Sequence, residues 1–432
     1  MLRTVPPMDA NTLVIDRDAS TCSDTPAGGA SAGRGSDALA ADTSPGRGSD
    51  PQAADTPPGG GRDRPAVTEL RLSAFRSHRS AVFPIGPMTL LAGASGSGKS
   101  NALQAYEALA LLGSGRDLAT AFPQPLECVP ERAVADRQGR RGFRIGCTVD
   151  GPAGPVRLDV AVQAEPRLRV VGERLTGGGR TLLTTALRDP SRSVLEAAWH
   201  TAGSAIVTRG PLPDDRLGTA LLPLRVAGST DAQLQVLAAA EQVVVALRSV
   251  FACDPRPERM RAPVPAGSGR LRRGCDNLAE VLHRTRSECA RRHARLAAAA
   301  RTGCAGAVDD LTVEELANGR VRALLDRGAA GGATPLGRLG EGELRYLGLA
   351  LVLLTGPGVL AMDQVAEVPV AYQSLTVIAD GFDRCLDPQQ ARQLVALGAE
   401  MCARGHIRLV GTVTDASCAR GIGGVTVVDL VP

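Results

Sequence analysis

The stretch LLAGASGSGKSNAL, residues 90–103, constrains this chain more than any other. Residues 93–100 fit G-x-x-x-x-G-K-[ST], with an apolar strand pattern before them and a helical pattern, NALQAYEALALL, after them. Within Gly93, Ala94, Ser95, Gly96, Ser97 and Gly98, the three glycines let the backbone turn its N–H groups toward phosphate oxygens. The N-terminus of the following helix adds a favourable dipole. In such a loop Lys99 reaches the β- and γ-phosphates, and the Ser100 hydroxyl ligates Mg²⁺. Composition sharpens the point. Of 49 Lys and Arg residues, Lys99 is the single Lys. A tight loop admits a compact ammonium where a planar guanidinium needs more room.

The 432 residues allow two or three domains, or one domain with a large insertion. Residues 1–66 form a Gly-, Pro-, Ser- and Asp-rich tail with a 13-residue tandem repeat, GRGSDALAADTSP then GRGSDPQAADTPP. With so little apolar surface the tail is expected to be disordered. It carries net −3, which leaves +7 on the rest. The ten Cys show no CxxC spacing and join no His in a zinc pattern, so free thiols in a reducing cytoplasm are expected. No signal-peptide pattern opens the chain. Its longest uncharged apolar stretch, Tyr346 to Met362, is 17 residues and is broken by TGPG, short of the roughly 20 that a membrane span needs.

Strand patterns are read at TELRLSAF, on either side of the Gly-Pro turn in VFPIGPMTLLAG, and in a meander over 143–175. Helical patterns dominate 230–330, clearest at DAQLQVLAAAEQVVVALRSV and DNLAEVLHRTRSECARRHARLAAAA. Helix and strand alternate near the C-terminus: GELRYLGLALVLL (helix), GVLAMD (strand), QQARQLVALGAEMC (helix), HIRLVGTV and VTVVDL (strands). These give an α/β chain with an antiparallel subsheet and a helical insertion. The expected divisions are 67–190, 191–330 (mainly helical) and 331–432.

TELRLSAFRSHRSAVFPIGPMTLLAGASGSGKSNALQAYEAL resembles the opening of the RecF-like and SMC-like branch of ABC-type ATPases, also grouped as AAA-family ATPases. The resemblance rests on a first strand, the turn Phe75-Arg76-Ser77, and a Walker A loop followed by Asn101. PRPERMRAPV (255–264) and CDNLAEVL (275–282) fit related bacterial members. It implies a P-loop NTPase fold of ABC type that binds ATP and Mg²⁺, with Arg76 and Asn101 at the nucleotide. LGEGELRYLGLALVLL (339–354) resembles the ABC signature, L-S-x-G-E/Q, with Gly340 in place of the Ser and Gly342 retained. That motif caps the γ-phosphate held by the opposite subunit, which implies a head-to-tail homodimer on ATP binding.

Two aspartates compete for the Walker B position. Asp363 ends GVLAMDQ, 21 residues after Gly342, and this spacing favours it. Asp380 lies in SLTVIADGFDRCLDP, which resembles the family's hhhhDE-P-E-x-x-L-H-P segment, although its apolar residues also recur at helical spacing. Either would be the metal ligand beside Ser100. The family's catalytic Glu is replaced by Gln364 or Gly381, and the counterpart of its Thr-His has no His and offers Thr414 or Asp415. Gln orients a water but cannot take its proton, and Glu367 is a substitute only if its loop folds back. Mg-ATP binding with slow hydrolysis is therefore expected. Gln163 is considered as a metal-contacting Gln, and Glu173 as a structural ion-pair partner. Residues 270–301 carry nine Arg against three acids, a DNA-binding stripe or a solvated helix face. The rival readings are a non-hydrolysing ATP-dependent scaffold for a protein partner and, less favoured, a P-loop kinase.

Overall fold

The computed structural model describes residues 64–200, 207–329, 331–362 and 374–431. An antiparallel sheet is built from β1 (Ala66–Phe75), β2 (His78–Pro84), β4 (Arg141–Asp150), β5 (Val156–Glu165), β6 (Arg169–Gly177), β7 (Arg180–Ala186), β8 (Val194–His200) and β9 (Val207–Pro213), in the order β2-β1-β4-β5-β6-β7-β8-β9. A parallel sheet has the order β10-β15-β16-β3-β17, from β3 (Met88–Ala92), β10 (Val250–Cys253), β15 (Leu375–Ala379), β16 (Ile407–Val413) and β17 (Val425–Asp429). A small third sheet joins β11 (Val264–Pro265), β12 (Asp310–Glu315), β13 (Arg320–Asp326) and β14 (Ala333–Pro335). The long helices are α1 (Lys99–Gly113), α4 (Asp231–Arg248), α6 (Leu278–Glu288), α7 (Ala290–Gly303), α8 (Glu341–Leu353) and α9 (Pro388–Ala403), with one-turn helices α2 (Leu118–Ala121), α3 (Gly218–Leu221) and α5 (Pro257–Met260).

β3 (MTLLA) and β15 (LTVIA) are buried at every position, as continuous apolar strands covered on both faces should be. Their side chains divide with period two. Met88, Leu90, Leu375 and Val377 face a core with α8 and α9, whereas Leu91 and Ile378 face α1, α4 and the antiparallel sheet. Alanines at 102, 105 and 108 let α1 lie close between the two sheets. Asp387 caps α9 by accepting from Gln390 N, and Pro388 occupies the first turn, where its missing N–H costs nothing.

Several expectations change. Residues 358–362 form no strand of the parallel sheet: Leu360 makes one bridge to Leu271, because the seat beside β16 is filled by β15. The helical spacing over 374–388 is coincidental, since 375–379 is strand and α9 starts at Pro388. The long pattern over 276–300 breaks at Cys289 into α6 and α7, where the intervening Arg-rich residues supply no apolar stripe to continue one buried face. Segment 191–330, expected to be mainly helical, also holds β8 and β9, three of the small sheet's strands (β11, β12 and β13) and β10. Glu173 makes no ion pair among the described residues. It is fully buried and accepts from Gly218 N (2.7 Å), Thr219 N (2.7 Å) and Thr219 Oγ1, and burial raises its pKa against those three donors.

Candidate functional site

β3 runs directly into the 93–98 loop, and α1 begins at Lys99 with Gly98 as its N-cap. Gly93, Gly96 and Gly98 take φ of 149°, 84° and 93°, which side-chain-bearing residues rarely adopt. Space demands glycine as well. A Cβ on Gly93 would collide with the Leu430 carbonyl, and one on Gly98 would meet the His78 ring at 2.6 Å. No side chain caps α1, so the orphan amides of its first turn are free to take an outside acceptor. Lys99 Nζ donates to Gly93 O (2.7 Å) and Ala94 O (2.8 Å), arching back over the loop. These features fit a phosphate group: an open cradle of backbone donors with an ammonium above it.

Beside the loop, Ser100 Oγ donates to Asp380 Oδ1 at 2.9 Å. Asp380 follows β15, at the C-terminal edge of the parallel sheet, where ligands of open α/β sheets bind. Thr412 at the end of β16 completes the cluster. Its Oγ1 donates to Asp380 Oδ1 (2.7 Å) and accepts from Gly381 N (2.7 Å). A hydroxyl and a carboxylate so joined are hard oxygen donors suited to Mg²⁺, which binds through one or two carboxylates plus substrate phosphates. Sequence reasoning overlooked Thr412; a Thr buried in an otherwise apolar strand, LVGTV, was the available signal. Asp363, Gln364 and Glu367 lie outside the described residues.

The turn between β1 and β2 closes the other flank. His78 Nε2 donates to Gly98 O (3.0 Å), and Asn101 Nδ2 to Ser77 Oγ (2.8 Å). Burial lowers the His78 pKa, opposed by that bond to the Gly98 carbonyl. Arg76 has φ 50°, donates its amide to Cys128 O, and sets its guanidinium beside the Cys128 thiol.

The signature-like segment forms the start of α8. Glu343 turns inward, accepting from Gly340 N (2.9 Å) and Ala305 N (2.9 Å). Gly342 is required by packing, because a Cβ there would strike the Cys385 carbonyl. No hydrogen bond or ion pair among the described residues joins 339–344 directly to the 93–100 loop. The link is Arg345, 3% exposed, which donates to Gly381 O (2.9 Å) and Pro255 O (2.6 Å) and pairs with Asp254 at 3.6 Å. Gln163 spends its amide on Arg167 O (3.0 Å), which closes the β5–β6 turn.

A cleft of about 100 Å³ opens beside the Ser100–Asp380 pair. Glu107 of α1, Asp254 after β10, Arg273 and Arg384 also line it, with Arg273 ion-paired to Glu107.

No protein-family model matches the chain, and no curated protein matches it. Solved structures to which it is similar include an SMC head bound to the C-winged helix domain of ScpA (11% identity, 81% of this chain and 90% of that one, TM-score 0.45). Two others are the SMC head domain from Thermotoga maritima (12%, 83% and 92%, TM-score 0.40) and an Smc head domain with an extended coiled coil bound to the C-terminal domain of ScpA derived from Pyrococcus furiosus (10%, 82% and 90%, TM-score 0.42).

Proposed function

We propose that this chain binds Mg-ATP as a P-loop ATPase of the ABC type, RecF/SMC-like, and turns it over slowly. One observation carries the reading: the 2.9 Å bond from Ser100, the hydroxyl that follows the loop lysine, to Asp380 at the end of a parallel strand. That pair supplies the two protein oxygens a phosphate-bound Mg²⁺ takes beside a P-loop. In this reading Asp380 is the Walker B aspartate. The bound metal neutralises charge on the phosphates; the chain's own part is to hold Lys99 and the 93–98 amides in place.

Slow turnover follows from what stands after Asp380. Gly381 offers no carboxylate to polarise an attacking water, and Thr414 and Asp415 replace the expected Thr-His. The same absence favours a nucleotide-dependent switch, in which ATP joins two copies through the α8 N-termini and the partner-specific insertion responds.

The test is titration of wild type, Lys99→Ala and Asp380→Asn with a fluorescent ATP analogue in Mg²⁺, alongside phosphate release. Micromolar binding by wild type, weakened at least tenfold in both variants, is the expected result. Wild type that binds no nucleotide would end this reading.

A further inference from the structure

We infer that Arg384 is a second cation of the triphosphate site, aimed at the terminal phosphate and setting preference for ATP over ADP. The inference rests on the reading above that the 93–100 loop holds a nucleotide. Arg384 lies in the turn between β15 and α9 and shares the cleft lining with Ser100 and Asp380. Its guanidinium covers the α-carbon of Gly381, the residue directly after Asp380. A Cβ built on Gly381 would come within 2.8 Å of Arg384 Nε and 3.0 Å of its Nη2. Gly381 also has φ 60°, a backbone conformation that side-chain-bearing residues rarely adopt.

The charge is available. The other guanidinium lining the cleft, Arg273, is spent on Glu107, whereas Arg384 has no carboxylate partner among the described residues. Arg presents planar, forked donors that match phosphate oxygens, and it stays charged at any working pH. A P-loop lysine serves the β- and γ-phosphates together. A guanidinium that shares the cleft with Ser100 and Asp380 would stand beside the metal-binding oxygens, where a γ-phosphate would add charge that a diphosphate lacks.

Affinities for Mg-ATP and Mg-ADP, measured by calorimetry on wild type, Arg384→Ala and Arg384→Gln, test this. The expected result is an approximately tenfold or greater loss for ATP, as for a charged hydrogen bond removed, with ADP affinity changed less than twofold. Equal losses for both nucleotides, or no loss for either, overturn the inference while leaving nucleotide binding itself intact. Wild type that binds neither nucleotide overturns it together with the reading it rests on. If Arg384→Ala fails to fold, Arg384→Gln, which keeps the stem over Gly381, carries the comparison alone.

Discussion

Lys99 holds two carbonyls of its own loop, so its ammonium has a geometric as well as an electrostatic task. Lys99→Arg keeps the charge, yet its bulkier planar head cannot satisfy Gly93 O and Ala94 O as a point donor does. Nucleotide affinity should fall about tenfold or more, read by the same titration. At Glu173 the expected effect is on stability alone. Glu173→Ala strips the acceptor from Gly218 N, Thr219 N and the Thr219 hydroxyl, and should cost about 3 kcal/mol in denaturant melts without changing nucleotide affinity. His78 gives a pH dependence. Its folded pKa lies below the usual 6.5, so the native state favours the neutral ring. The contribution is full above 6.5 and is lost as pH falls through the depressed value. As pH falls from 6.5 to that value, thermal melts of wild type should lose more stability than melts of His78→Gln. The loop was legible in the sequence because its chemistry is local: three glycines, one lysine and the serine that follows it. The carboxylate opposite Ser100 was narrowed only to Asp363 or Asp380, because a sequence separation of 280 residues is resolved only by strand order.

Elements whose partners are near in sequence could be read directly. The meander over 143–175 alternates with period two and is tied by short turns. β10 went unread because VFAC follows α4 without a break and is too short to show a period of its own. Yet β10 carries Asp254 to the cleft: its Cys253 pairs in parallel with Ala379, so Asp254 and Asp380 follow neighbouring strand ends. Arg345 ties both strand ends to α8. Replacing it with Met removes donors from Pro255 O and Gly381 O and leaves Asp254 without its buried partner. That variant should lose about 3 kcal/mol of stability and also bind ATP more weakly, because the Asp380 turn loosens.

Across the whole molecule, the basic stripe expected over 270–301 is mostly consumed within the chain. Arg272 pairs with Asp276, Arg273 with Glu107, Arg284 with Glu288, Arg286 with Asp310, and Arg295 with Glu400, while Arg301 donates to two carbonyls. Arg270, Arg291 and Arg292 remain without an ion pair among the described residues. Three phosphate contacts give a salt slope of only about −3, so any duplex DNA binding through this face should be weak and should vanish near 0.15 M salt in an anisotropy titration. Size measurement in ATP against ADP tests the proposed pairing of two copies; one mass in both nucleotides would exclude it.

β3, which delivers the phosphate loop, lies between β16 and β17, and Leu430 O stands against Gly93. The strands that flank it, β16 and β17, are translated long after the loop itself. Segments fold in the order they are made only when their partners are already present. A chain stalled before residue 407 would therefore carry the whole motif without the two strands that flank β3, and the proposed phosphate cradle would lack its support.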